Sequence, residues 1–345
     1  MNTGMKSIRR TIPRLLLFCI CFLAGCSTIQ EYPGDNPVDP GLIEVSFELE
    51  VCMDMEVLDR IGTYAPILNG DHDIRYIVDI YKDTGEKSSG DRLRIERIVC
   101  TDDEITEGKF TVDRSVKLSA DKYRLLVWVD FVGKGKRGDL YYDTDDLHAI
   151  RIIRDGGYVG YRTARDAFTA GTEMDLTPYR GGRFGRFRAS VTVERPFAVY
   201  RIVTTDIEKY LSYNPSLSYG SIRPGITDFS YRSLFPTGYN ARFGVPDDFK
   251  PGIGYRFDIV ETVPQSEAIV ASDMVFVNGD DAAYDAAIEI CTPDGTHINT
   301  TDNLRINLRR NKLTILRGEF LTRETGGGGV GIDPGFDDEI VVPIN

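Results

Sequence analysis

Ile43–Val51 reads IEVSFELEV. Ile43, Val45, Phe47, Leu49 and Val51 alternate with Glu44, Ser46, Glu48 and Glu50, the period of two that turns one strand face to a core and the other to water. A helix would scatter these apolar side chains around its axis. The pattern recurs. Asp73–Lys82 carries Ile74, Tyr76, Val78 and Ile80, Arg92–Cys100 sets Leu93 and Ile95 against arginines and Glu96, and Phe110–Leu118 carries Phe110, Val112, Val116 and Leu118. Tyr123–Val132, YRLLVWVDFV, is apolar on both faces and holds the only tryptophan, Trp128; it is expected to be a central strand of a first sandwich.

Gly133–Arg180 is polar and rich in turn residues and is expected to supply long connections and edge strands, His148–Ile153 among them. Phe184–Thr204 holds two strand segments broken at Arg195-Pro196, where proline suits an edge or a bend. Thr205-Asp206-Ile207-Glu208 has a capping-box pattern, which predicts a short helix over Asp206–Leu211. Residues 212–250 read as loop with one strand at Thr227–Leu234. Further strands are expected at Tyr255–Thr262, Ile269–Asn278, Ala287–Thr292, Leu304–Leu308, Leu313–Phe320 and Ile340–Ile344. Short alternating runs between turns, with almost no helical periodicity, predict an all-β chain of sandwiches. We expect one sandwich over residues 42–185 and a second over 186–345, the latter ending in a Gly-rich tail at Gly326–Gly331.

Upstream, Lys6, Arg9, Arg10 and Arg14 precede the apolar run Leu15–Cys26, LLLFCICFLAGC. A basic segment followed by an apolar run too short to span a membrane predicts an export signal over residues 1–25. Leu23, Ala24 and Gly25 before Cys26 resemble a bacterial lipobox, in which the cysteine is acylated and becomes the first mature residue. Two or three acyl chains at Cys26 hold far more firmly than one, because each buried CH₂ adds about 0.8 kcal/mol. Residues 26–41, with Pro33, Pro37 and Pro40, are expected to be a flexible tether.

Without residues 1–25 the chain carries 37 basic and 53 acidic side chains. Such an acidic surface argues against nucleic acid as a partner. Three cysteines remain besides Cys26: Cys52, Cys100 and Cys291. Cys52–Cys100 is the preferred pairing if a disulfide forms, although all three sit in strand-like runs where small buried hydrophobes are the commoner role. No zinc-protease helix, paired Cys-x-x-Cys or nucleophile elbow occurs, and the only histidines are His72, His148 and His297. We expect no enzyme, no catalytic residues, no cofactor and no metal. The acidic groups Asp143, Asp145, Asp146 and Asp280, Asp281, Asp285 do not match a twelve-residue calcium loop. Arg137-Gly138-Asp139 matches the tripeptide of integrin ligands, and tripeptides recur by chance. Arg180, Arg183, Arg186 and Arg188, interleaved with Phe184 and Phe187, are expected to point outward from a strand toward the acidic surface. Tyr141, Tyr142, Tyr158, Tyr161, Tyr231 and Tyr239 offer material for a glycan-stacking platform, or ordinary sandwich residues.

Leu23–Cys26, KYRLLVWVD at Lys122–Asp130, Arg195-Pro196-Phe197-Ala198 and the tail from Asn307 (NLRRNKLTILRGEFLT, then GGGGVGIDPGF) together resemble the fimbrillin-like lipoproteins of anaerobic Gram-negative bacteria. The tail is most similar to a lipoprotein family of unknown function. The resemblance implies tandem transthyretin-like sandwiches in a fimbrial stalk, tip or anchor subunit, or a surface lipoprotein. In such stalk subunits a protease cuts after an arginine near the N-terminus and frees a groove for a neighbour's strand. Here no Lys or Arg occurs between Cys26 and Arg60, so an anchor or accessory protein that keeps its lipid on the outer membrane is expected. Partners would then be the membrane, through Cys26, and fimbrial subunits or other envelope proteins. Glu339, Ile340, Val341, Val342, Pro343 and Ile344 form a candidate donor strand, with closure of its own sheet the commoner outcome. The alternative is a surface lipoprotein that captures glycan or peptide for nutrient uptake.

Overall fold

Leu42–Val51 forms β1, and its alternation is used as expected: Ile43, Val45, Phe47 and Leu49 are buried, while Glu44, Ser46 and Glu48 are half-buried on the other face. The computed structural model describes residues 42–51, 71–83, 93–101, 105–106, 111–181, 185–222, 225–261, 266–279, 281–322 and 338–343. Cys26 and the rest of the expected signal and tether lie outside them, as does Cys52.

β1 lies inside a four-stranded sheet. It pairs antiparallel with β5 (Thr111–Ser119), which is flanked by β4 (Ile105–Thr106), and parallel with β10 (Gly185–Val193). A second sheet has the order β3 (Arg94–Thr101), β2 (His72–Lys82), β6 (Lys122–Gly133), β9 (Ala167–Asp175). Apolar side chains from both sheets meet in one core: Phe47 and Leu49 of β1, Val78 and Ile80 of β2, Leu125 and Val127 of β6, Val191 and Val193 of β10. This is the first sandwich, with β6 central as expected. β10, expected to open the second module, belongs to the first. The passage between sandwiches therefore falls after Val193, at Arg195-Pro196, because Ala189, Val191 and Val193 complete the first core.

The second sandwich packs a sheet of order β16 (Val260–Glu261), β17 (Ala268–Phe276), β11 (Phe197–Thr204), β20 (Lys312–Gly318), β21 (Asp338–Pro343) on another of order β15 (Gly254–Asp258), β12 (Ile226–Tyr231), β18 (Asp281–Cys291), β19 (His297–Arg309). The short helix is present as α1 (Ile207–Tyr213), followed by α2 (Tyr219–Ile222). The capping box is not used. Asp206 makes no side-chain cap and instead accepts hydrogen bonds from the backbone of Leu321 and Thr322, tying the end of β20 to the helix start.

A third core is the main departure from expectation. β7 (Tyr142–Asp143) and β8 (Ile150–Ile152) from the first half pair into one sheet with β13 (Phe235–Asn240) and β14 (Val245–Lys250) from the second. Stretches expected to be connections, with one short edge strand at His148–Ile153, thus build an element shared by both halves. Its Tyr142, Ile150 and Tyr239 pack with Ile77, Leu126 and Trp128 from the outer face of the first sandwich and with Phe197, Val199 and Phe276 from the second. The rings run in sequence, Trp128 to Tyr142 at 5.3 Å, Tyr142 to Phe197 at 6.0 Å and Phe197 stacked on Phe276 at 4.5 Å. β6 and β11 are buried on both faces because each separates two cores, which is why their sequences lack alternation.

In β3 the inward-facing residues differ from those expected. Leu93 and Ile95, expected inward, are exposed, and Ile98 and Cys100 fill the core instead. The register shifts between Ile80 and Tyr81 on the partner strand, and Arg94 and Arg97 reach across to Asp79 and to the carbonyls of Thr144 and Asp145.

Candidate functional site

The two strands nearest the chain ends are held in different ways. β1 has neighbours on both sides and four apolar side chains almost wholly removed from water. At about 1.5–3 kcal/mol for each fully buried apolar side chain, those four contribute on the order of 6–12 kcal/mol. Among the described residues β21 has one neighbour. It pairs antiparallel with β20, Leu313 opposite Val342 and Ile315 opposite Ile340, at the edge of its sheet. The candidate donor segment Glu339–Pro343 is therefore paired within its own chain, and Ile344 lies outside the described residues. Leu23, Ala24, Gly25 and Cys26 lie outside them too. Among the described residues no helix is long and apolar enough to cross a membrane.

Most surface motifs are absorbed by structure. Asp139 of Arg137-Gly138-Asp139 accepts hydrogen bonds from Arg75 at 2.8 Å and from the Thr144 hydroxyl at 2.7 Å, so its carboxylate faces inward contacts. Asp139, Asp143 and Asp145 bring carboxylate oxygens within 4.8 Å of one another. The carbonyls of Thr144 and Asp145 beside them are taken by Arg97 and Arg94, so a cation there would meet two guanidinium groups and far fewer than six oxygens. Asp281 and Asp285 pair with Arg309 and Arg305 across β18 and β19, and Asp280 lies outside the described residues. Arg186 and Arg188 point outward from β10 and pair with Glu44 and Glu48 of β1, as expected. Arg180 reaches Asp121, and Arg183 lies outside the described residues. Tyr142, Tyr231 and Tyr239 are buried in cores, so the six tyrosines do not form one platform. Cys100 is buried in the first core, and Cys291 is a half-buried thiol that burial pushes above its usual pKa.

Sequence reasoning passed over the buried charges. Asp273 of β17 is fully buried. Its Oδ2 accepts hydrogen bonds from the hydroxyls of Tyr158 and Tyr231, both at 2.8 Å, and its Oδ1 accepts from Arg165 at 3.3 Å and from the Met274 amide at 2.7 Å. Tyr200 joins Tyr231 and Tyr255 through hydroxyl contacts of 2.9 Å. Burial pushes the Asp273 carboxyl up to about 6, against the opposing pull of Arg165 and the tyrosine hydroxyls. Arg195 binds both oxygens of Asp166, and Arg75 grips Asp130 with two parallel hydrogen bonds. Each pair fastens one connection or strand to another, and losing one partner would strand the other without water. The signal was available: Asp130 and Asp273 interrupt apolar runs in which a carboxylate must find a partner.

No curated protein matches the chain. Among solved structures, a proposed adhesin of Bacteroides ovatus is similar at 12% identity and a TM-score of 0.45, covering 78% of this chain and 80% of that one. A proposed polysaccharide-binding protein of Bacteroides thetaiotaomicron is similar at 9% identity and a TM-score of 0.44, covering 80% and 91%. A fimbrial assembly protein of Parabacteroides distasonis is similar at 9% identity and a TM-score of 0.33, covering 80% and 90%. At such scores these likenesses carry no functional argument. The match that does decide something is to a family of unknown function, DUF6562, over residues 40–345, and this chain belongs to that family.

Proposed function

We propose that this chain is a lipid-anchored protein of the outer membrane, displayed on the cell surface as an adhesin or fimbrial accessory subunit. The observation that carries the proposal is the combination of a lipobox at Leu23–Cys26 with a first strand that is hydrogen-bonded on both sides and packed in the first core. β1 is central in its sheet and fills the first core, and no Lys or Arg lies between Cys26 and Arg60 for a trypsin-like protease to use. A stalk subunit must lose its first strand to admit a neighbour's. This one keeps it, and with it the lipid. Assembly contacts are then left to exposed edges, where backbone amides and carbonyls accept an added strand. β21, with its single neighbour, is the edge we assign to partners in the envelope.

Replacing Cys26 by Ser tests the anchor. The expected outcome is transfer of the protein from the membrane pellet to the soluble fraction; a variant that stays in the pellet contradicts it. Capture of a small ligand at the surface is the second reading, favoured by a groove beside Tyr158.

A further inference from the structure

A groove of about 470 Å³ opens between the connection after β8 and the turn that joins β14 to β15. Its lining is Ile152, Arg154, Asp155 and Tyr158 on one side and Gly252, Ile253 and Gly254 on the other, with Gly157 between. The volume lies within the range of small-molecule sites. We propose that this groove binds a neutral oligosaccharide, the ligand of the adhesin that the preceding proposal describes and on which this inference rests.

The chemistry of the lining selects the class. Arg154 and Asp155 are exposed, and neither side chain has a hydrogen-bond or ion-pair partner among the described residues. Adjacent opposite charges suit neither an anion, which would meet Asp155, nor a cation, which would meet Arg154. A polyhydroxylated ligand satisfies both, because each sugar hydroxyl donates to a carboxylate and accepts from a guanidinium. Ile152 and Ile253 are buried beneath the groove, and half-buried Tyr158 leaves part of its ring for contact with the C–H edge of a pyranose. Gly157 (φ +116°) and Gly252 (φ +68°) hold backbone conformations that other residues rarely adopt, and a Cβ on either would meet no protein atom within 4 Å. A ligand can therefore approach the main chain closely there.

The floor is rigid. The Tyr158 hydroxyl is bonded to Asp273, the Arg165 guanidinium lies 5.1 Å from the Tyr158 ring centroid, and the Phe235 ring meets it edge-on at 5.1 Å. On the facing side, the Ile253 carbonyl accepts from the Tyr231 amide at 2.9 Å. Gly254 has no room for a side chain, since a Cβ would sit 2.5 Å from the Phe229 carbonyl oxygen. The buried Asp273 cluster thus fixes one wall of the groove and, through Tyr231, the other. Pre-organised walls spare a ligand the entropy of ordering them.

The test uses full-length protein in detergent on an array of neutral and uronate-containing oligosaccharides of two to six units, followed by calorimetric titration of the strongest neutral binder. Arg154→Ala and Asp155→Ala, both on an exposed connection, are expected to fold normally and to weaken binding at least tenfold. Arg305→Ala, a charge change elsewhere on the surface, is expected to leave it unchanged. Wild-type binding that survives both groove substitutions would overturn the groove assignment and leave surface display intact. Selective binding of uronates, or no saccharide bound at all, would overturn the ligand class. Release of the Cys26→Ser variant from membranes reports on the display proposal independently of either result.

Discussion

β1 and β21 are both the terminal strands of their halves, and they are bound to the fold by different means. β1 is hydrogen-bonded on both sides and its inward side chains make up part of the first core. β21 hangs from one neighbour at a sheet edge. Their sheets differ as well. Among the described residues the sheet of β1 carries no buried charged side chain, whereas the sheet that carries β21 contains Asp273, a carboxylate tied to Arg165 and two tyrosines. The difference assigns roles. On the proposed reading, β1 stays with the folded chain and exchange with a partner falls to the edge at β21.

Three perturbations would break or sharpen this contrast. The largest effect is expected from Phe47→Ala in β1, where a buried aromatic gives way to a cavity at a cost of about 3–5 kcal/mol; chemical denaturation reads it directly, and a loss under 1 kcal/mol would mean that β1 is dispensable. Next comes pH. The folded Asp273 carboxyl keeps its proton up to about pH 6, whereas an ordinary aspartate loses it near 3.8. The native state therefore binds more protons within that window, and this group's contribution to stability falls as pH rises through it. The stability advantage of wild type over Asp273→Asn should shrink between pH 4 and 6, by on the order of 2 kcal/mol. A constant difference would contradict the buried-carboxyl account, and the same comparison for Phe47→Ala should show no such slope. The smallest effect on folding is expected from deleting residues 338–345, a fall in melting temperature of about 5 °C or less. That variant should remain a folded monomer and lose envelope partners; global unfolding would show β21 to be structural instead.

β1 and β5 were legible because each turns one face to a core and the other outward, and β2 because its first-core side chains alternate although its other face is buried too. β6 was legible as central because a run apolar on both faces has no other home. What escaped was most of what depends on a third layer. β7, β13 and β14 are short, with Pro236, Gly238 and Pro246 in the last two, and read as connection or loop, whereas β8 lies within the short strand expected at His148–Ile153. They are strands because rings and aliphatics from two sandwiches close over them. The parallel pairing of β1 with β10 joins residues more than a hundred positions apart, and nothing local announces it. The groove was missed for the same reason. Tyr158 was one tyrosine among many until Asp273, Arg165 and Phe235 fixed its ring beside Arg154 and Asp155.

The claim that unites these observations is that the mature protein keeps both its lipid and its first strand. Mass spectrometry of the N-terminal peptide from purified cell envelopes tests it most directly. The expected result is an acylated Cys26 as the first residue, on a chain that still contains Leu42–Val51. A mature chain that begins after Arg60 or a later arginine, without lipid, would contradict it.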